Sequence, residues 1–218
     1  MLTKKNYRIF GRTKSRTSNK LNLEKYSFLQ KKYQLKKMTK TDNYILDIGS
    51  GYGETSIYFA LNNKKCKIIS CDKYINGNFN LLKNIEKLKL QNSYIFTGNA
   101  MELLDYHQKN KYFSKVVIFF PDPWPKKKHS KRRLINEMFL KNLHLYLKEN
   151  AEVYIATDSK AYTAQILNCI HKLKRKFRWI NSKKMYLDIK DFFDLETKFY
   201  KKAINFGHIP SLFILKKI

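Results

Sequence analysis

An α/β fold built on a mostly parallel sheet, with helices on both faces, is predicted by three observations. After Thr41, short apolar runs alternate with longer segments of helical pattern, a glycine-rich turn follows the first run, and an acid stands at or just beyond the end of four runs. Parallel neighbours require this alternation, because the chain must cross back over the sheet between them. Open sheets of this kind bind ligands at the carboxyl ends of their strands, which is where Asp47, Asp72, Asp122 and Asp158 fall.

Taken in order, residues 1 to about 20 are polar, basic and aperiodic, the composition of a tail that orders on binding. From Leu21 to Lys37, Leu, Tyr and Phe recur among lysines and predict one amphipathic helix. Strands are predicted at Tyr44 to Ile48, Lys67 to Cys71, Ser93 to Thr97, Lys115 to Phe120 and Glu152 to Ala156, with intervals long enough for crossover helices. A helix is expected from Lys131 to Leu147. A strand from Trp179 to Leu187, an acidic segment from Asp188 to Glu196 and a last apolar run from Leu212 to Leu215 predict an antiparallel edge hairpin. The expected organisation is a basic, partly flexible N-terminal extension over residues 1–40 and one domain over 41–218, the chain being long enough for one such core.

Lys and Arg total 45 against 17 Asp and Glu, a formal charge of +28. That field attracts phosphate backbones or anionic lipid surfaces, and charge alone does not choose between them. Lys outnumbers Arg 38 to 7, part of which is the drift expected of AT-rich coding. Drift scatters lysines, however, whereas residues 1–40 hold 13 cations and the single acid Glu24, and residues 126–133 hold six cations and no acid. Clustering favours a polyanion partner. No apolar run approaches the about 18 residues that span a bilayer, and no apolar stretch follows the basic N-terminus, so no membrane association and a cytoplasmic location are expected. Cys66, Cys71 and Cys169 lack paired metal-ligand spacing, so neither a disulfide framework nor a metal is expected.

The turn Leu46-Asp47-Ile48-Gly49-Ser50-Gly51-Tyr52-Gly53 follows the first strand and opens a helical pattern. Gly49 and Gly51 allow a tight turn and close approach of backbone to a ligand. The spacing is not that of a dinucleotide fingerprint. Asp72, at the end of the second strand, is placed to accept hydrogen bonds from two ribose hydroxyls, which points to an adenosine-containing ligand. Asp47 beside the loop suits a cationic amino-acid moiety better than a pyrophosphate, so S-adenosyl-L-methionine is the expected cofactor. The Asn99 amide offers a donor and an acceptor to an adenine edge; a structural Asn in a turn is equally compatible.

Phe120-Pro121-Asp122-Pro123-Trp124 carries the strongest signal. The prolines stiffen the backbone that presents Asp122 and Trp124. A carboxylate only accepts, so Asp122 complements the N1-H and N2 amino edge of guanine. Lys126, Lys127, Lys128, Lys131, Arg132 and Arg133 follow at once and are expected to grip phosphates. Further on lie Ala156-Thr157-Asp158 and Thr197-Lys198-Phe199-Tyr200; whether they meet is open, and helix capping explains Asp158 as well.

Together these residues, with Phe10-Gly11-Arg12, Leu46-Asp47-Ile48-Gly49 and Lys131-Arg132-Arg133, resemble the bacterial tRNA (guanine-N7-)-methyltransferase family, whose marks run in order through almost the whole chain. The resemblance implies a Rossmann-like class I methyltransferase fold, with a seven-stranded mostly parallel sheet and an antiparallel C-terminal edge hairpin. It implies S-adenosyl-L-methionine as donor and tRNA guanosine 46 of the variable loop as acceptor; separately, a monomer or weak homodimer is expected. By motif position Asp47, Gly49, Gly51, Asp72 and Asn99 would contact the cofactor, and Asp122, the catalytic residue, would serve cofactor and guanine together. Lys126, Asp158, Thr197, Lys198, Phe199 and Tyr200 would contact substrate, and Lys128, Lys131, Arg132 and Arg133 the RNA. Asp47 and Asp72 stand where the family commonly has Glu, Asn99 where Asp is usual, and Tyr200 in place of Glu. Two rivals follow: an adenine amino-group methyltransferase, whose Asn/Asp-Pro-Pro-aromatic signature also ends a fourth strand, and a noncatalytic RNA-binding protein on the same scaffold.

Overall fold

The computed structural model describes Thr13, residues 22–183 and residues 189–218. The Phe10-Gly11-Arg12 motif, almost all of the basic tail, and the stretch from 184 to Asp188 lie outside the described residues. Seven strands form one sheet in the order β3-β2-β1-β4-β5-β7-β6. They are β1 (Tyr44–Ile48), β2 (Lys67–Asp72), β3 (Ser93–Thr97), β4 (Phe113–Phe119), β5 (Leu147–Thr157), β6 (Phe177–Trp179) and β7 (Ser211–Lys217). The first five are mutually parallel, and β7 inserts antiparallel between β5 and β6. The expected seven-stranded, mostly parallel sheet with an antiparallel hairpin at its C-terminal edge is therefore present. Strand order reverses between β1 and β4, the switch point at which such sheets open a crevice.

β1 is buried along its whole length, as a central parallel strand covered on both faces must be. One face packs α4 (Ala100–Tyr106), α5 (Glu137–His144) and α6 (Lys160–Lys172) over Leu46, Val116, Ile118 and Ile155. The other packs α2 (Glu54–Asn62) and α3 (Ile75–Lys87) over Ile45, Ile68 and Val117, and receives α7 (Lys198–Asn205) through Tyr200. Among the described residues no helix is long and apolar enough to cross a membrane.

Three expected elements are revised. The first helix, α1 (Leu23–Tyr33), starts where the Asn22 side chain accepts from the Lys25 N–H at 2.8 Å, and it ends before Lys37. Its exit is extended because the chain pairs with the outer edge of β3, the Leu35 N–H donating to the Ile95 carbonyl at 3.0 Å. Tyr26 and Leu29 pack on Leu82 and Ile95, so residues from 22 onward are integrated with the sheet despite their basic composition.

No continuous helix runs from Lys131 to Leu147. A 3-10 turn covers Lys127–Arg132, and α5 begins only at Glu137, capped by Asn136. The break follows from side chains that take the intervening backbone: the Ile135 N–H donates to the Tyr162 hydroxyl at 2.7 Å, and Arg133 is anchored elsewhere. The late strand stops at Trp179, because Asn181 occupies the next pairing positions with its side chain. Its Nδ2 donates to the Leu212 carbonyl at 2.6 Å and its Oδ1 accepts from the Ile214 N–H at 2.9 Å.

α3 lies hard against the turn after β1. A Cβ added at Gly77 would sit 2.1 Å from the Gly51 carbonyl oxygen, which is backbone and cannot swing aside. We predict that Gly77→Ala lowers stability by about 1–3 kcal/mol through overpacking, read as a fall of several degrees in the melting midpoint. An unchanged midpoint would show that α3 can draw back from the turn at no cost.

Candidate active site

Asp47, Asp72, Asp122 and Asp158 all lie at the carboxyl edge of the sheet, and the first and third flank the switch point. The register places Asp47 beside Ser70 and Val117, and Asp72 beside Thr97. The turn after β1 is held by left-handed φ values at Gly49 (77°), Gly51 (54°) and Gly53 (88°), a conformation that costs other residues a clash at Cβ. Asp72 fastens this turn: its Oδ2 accepts from the Gly51 N–H at 2.8 Å, and its Oδ1 from the Tyr74 N–H at 2.9 Å. Each carboxylate oxygen retains a further lone pair for a ligand hydroxyl.

Asp47 is 2% exposed and accepts a 2.6 Å hydrogen bond from the Ser56 hydroxyl, which in turn accepts from Ser70 at 2.7 Å. Burial pushes its carboxyl up to about 7, the Ser56 bond opposing and the nearby Asp72 charge adding. It lines a narrow cleft with Gly49, Ser50, Gly51, Phe120, Thr197 and Phe199. The Ser50 hydroxyl is buried there with no hydrogen-bond partner among the described residues. A buried acid short of positive charge, an unsatisfied hydroxyl and a turn open at Gly49 fit a ligand carrying an ammonium beside polar groups.

Across the switch point, Asp122 is exposed at the cleft rim, yet partial desolvation raises its carboxyl above the usual range; Lys73 opposes this and Asp72 adds to it. Burial likewise lowers Lys73, against the pull of Asp122, Asp72 and Glu102. Trp124 is covered by the Arg132 guanidinium, 5.0 Å from the ring centroid, and meets His129 edge-on at 5.9 Å. Lys126, Lys127, Lys128 and Lys131 are exposed.

Arg133 corrects its expected role as an RNA contact. It is 6% exposed, and its guanidinium is spent inside the protein on the carbonyls of Pro123, Trp124 and Ala161 and on Gln165 Oε1.

α7 brings the distant C-terminal motif to the site. Thr197 caps the helix, accepting from the Tyr200 N–H at 3.1 Å, while the Lys198 N–H donates to Glu54 Oε2 at 3.0 Å. The Lys198 ammonium lies 4.8 Å from the Tyr52 ring centroid, and Phe199 packs beside Gly51. Tyr200 does not join them: it is 5% exposed and packs into the core with Phe193 and Leu195, which revises its expected substrate contact. Just past α7, His208 Nδ1 lies 3.2 Å from Asp158 Oδ2. Asn99 caps α4 in a reciprocal pair with Glu102, which takes one lone pair of its amide oxygen and leaves its NH₂ for a ligand.

Ser56, Lys73, Gly77 and His208 were not singled out from sequence. Lys73 directly follows Asp72 and was findable by adjacency; nothing in the chain connects His208 to Asp158.

A family model described as "Putative methyltransferase" matches residues 41–209. The tRNA (guanine-N(7)-)-methyltransferase of Wolbachia pipientis wMel is 38% identical over 149 residues, covering 68% of this chain and 67% of that protein. Its counterpart in Methylobacillus flagellatus is 35% identical over 164 residues, covering 75% and 67%. The chain belongs to the tRNA (guanine-N7-)-methyltransferase family. A further member, from Nitrosomonas eutropha, is 34% identical over 78% of this chain and 74% of its own length. Among solved structures, an rRNA methylase from Streptococcus thermophilus superposes with a TM-score of 0.56 at 14% identity, covering 93% of this chain and 99% of that one. A "putative methyltransferase" from Streptococcus mutans, solved with SAH, gives 0.56 at 12% identity, covering 90% and 97%. These two likenesses establish the methyltransferase fold.

The raised Asp47 carboxyl carries a stability signature. A free Asp titrates near about 3.9, so between there and about 7 the native state holds a proton the unfolded chain has lost, and stability falls as pH rises. Urea unfolding across this window should show Asp47→Asn gaining on the wild type as pH rises, with the difference constant above it. Parallel pH profiles would show that Asp47 is not buried in its ionised form at high pH.

Proposed function

We propose that this chain transfers a methyl group from S-adenosyl-L-methionine to N7 of a tRNA guanosine, with guanosine 46 of the variable loop as acceptor. The observation that carries the reading is the convergence of Asp47, Asp72 and Asp122 on one sheet edge, rimmed by the exposed lysines at 126–128 and 131. The family membership supports the same reaction, and the relatives carry the guanine-N7 name, which disfavours the adenine amino-group alternative. Asn99 and Tyr200 stand where the family usually has acids, but Asp47, Asp72 and Asp122 are all present, which disfavours a purely noncatalytic scaffold.

The cofactor supplies an electrophilic methyl on a sulfonium. Asp47 and the Ser50 hydroxyl take its amino-acid end, Asp72 its ribose hydroxyls, and Gly49 and Gly51 admit it against the backbone; the Asn99 NH₂ is available to the adenine. Guanine N7 keeps a free lone pair at neutral pH, so no residue has to remove a proton before attack. The chain's task is to hold the base in line and to ease the positive charge that develops on the purine. Asp122 does both, accepting from the Watson–Crick edge of guanine while presenting a carboxylate to the cationic ring. Asp158, with Thr197, Lys198 and Phe199, closes the substrate side. Lys126, Lys128, Lys131 and Arg132 hold phosphates and set affinity without touching the reacting atoms.

Incubated with bulk tRNA and methyl donor, the protein should yield 7-methylguanosine, identified by nucleoside mass. A transcript with guanosine 46 replaced should stay unmethylated; methylation of that transcript at another site would move the acceptor. In the same assay at saturating substrates, Asp122→Asn should lower kcat by about 10²–10³ while tRNA affinity stays within a few-fold. Near-normal turnover would remove Asp122 from the chemistry.

A further inference from the structure

The loop that presents Asp122 is poorly equipped to hold itself. Pro121, Pro123 and Pro125 have no N–H to donate, and two non-glycine residues, Phe120 (φ 51°) and Trp124 (φ 39°), sit in the left-handed region. Backbone so placed persists only where its surroundings over-determine it. Beyond the Phe120 N–H, which donates to the Ala156 carbonyl at 2.8 Å, what the loop offers Arg133 for anchoring is carbonyl oxygen. Nε donates to the Pro123 carbonyl at 2.7 Å and Nη2 to the Trp124 carbonyl at 3.1 Å. The remaining edge of the same guanidinium reaches α6: Nη1 donates to the Ala161 carbonyl at 3.1 Å and to Gln165 Oε1 at 3.0 Å. The Tyr162 ring flanks it at 5.4 Å, and that hydroxyl accepts from the Ile135 N–H two residues past Arg133.

All four side-chain hydrogen bonds of this buried cation go to uncharged oxygens. The arrangement therefore costs desolvation without a carboxylate to offset it, and only a planar fork of five donors fills it. Its two ends matter by position. Pro123 follows Asp122 directly, and Ala161 lies three residues past Asp158. One guanidinium thus ties together the two strand ends whose acids the proposed function assigns to the guanine.

We propose that Arg133 is a positioning residue for methyl transfer: it fixes the Asp122 loop against the Asp158 strand end and makes no contact with tRNA. This rests on the function proposed above. The lysine variant keeps the charge and loses the fork. Arg133→Lys in the full chain should lower kcat by about a hundredfold, the cost of misplacing a reacting pair by about 1 Å, with the tRNA Kd and its salt dependence those of wild type. Lys131→Ala, by contrast, should reduce the salt slope by about one. Because lysine keeps the charge, Arg133→Gln tests the phosphate reading: a reduced slope with kcat retained there would make Arg133 an ordinary phosphate contact, and an unchanged kcat in Arg133→Lys would also overturn the proposal.

Should Arg133→Lys fail to melt cooperatively, Gln165→Met removes one of the four anchors, together with the 2.8 Å bond from Gln165 Nε2 to the Ile135 carbonyl. It should lower kcat while leaving the salt slope in place and the fold cooperative; unchanged turnover there overturns the proposal. Trp124 emission, read in a Trp179→Phe background, separates the clamp from the reaction. It should shift in Arg133→Lys even if wild-type protein methylates no tRNA, an outcome that would sink the functional reading and leave the clamp standing. No shift would remove the clamp as well.

Discussion

Two hydrogen bonds carry the sheet register one residue past the strand ends, and the site depends on them. The Gly49 N–H donates to the Cys71 carbonyl at 2.8 Å, and the Phe120 N–H donates to the Ala156 carbonyl at 2.8 Å. The first locks the glycine turn to the end of β2, where Asp72 waits; the second locks the start of the Asp122 loop to the end of β5, just before Asp158. Because parallel strands share one direction, fixing these two pairs brings all four acids to one edge. Everything beyond is tightening: Asp72 on Gly51, Gly77 against the turn, and Arg133 across the second gap.

The electrostatics are divided by depth. A chain of formal charge +28 gathers Asp47, Asp72 and Asp122 at the carboxyl edge of its sheet and keeps exposed lysines at 126–128 and 131 beside them. Long-range attraction therefore delivers a polyanion to the rim, while the cleft itself repels phosphate and admits only groups able to donate hydrogen bonds or bear positive charge. Lys73 moderates the field at Asp122, and burial still leaves Asp47 and Asp122 harder to ionise than free aspartate.

The strands were legible because their apolar runs are short, separated and ended by acids, and the glycine turn because positive φ has few other solutions. Where reading failed, a side chain had taken a backbone's place or a charge had gone inside. Asn181 substitutes for strand pairing and truncates β6. Tyr162 claims the Ile135 N–H and splits the helix expected from Lys131. Arg133 belongs to a run of cations that pattern alone places in solvent, and only its four acceptors, scattered from Pro123 to Gln165, reveal otherwise. Tyr200 stands at a motif position but is large, aromatic and three residues past a cap, which turns it into the core. The pairing of Asp158 with His208 spans fifty residues and leaves no local trace.

α7 touches both halves of the site. Its first turn rests on the glycine loop through Lys198, Glu54 and Phe199, and His208, three residues past its end, pairs with Asp158. A helix of eight residues is short enough to shift as a unit. Were occupancy at one end to move it, the other end would feel the shift, and thermodynamic linkage would make the effect mutual: whatever factor the small ligand exerts on the affinity for RNA, RNA exerts equally on the small ligand. With a factor above one, the enzyme would favour a filled pair over either half, and release of one spent partner would loosen its hold on the other.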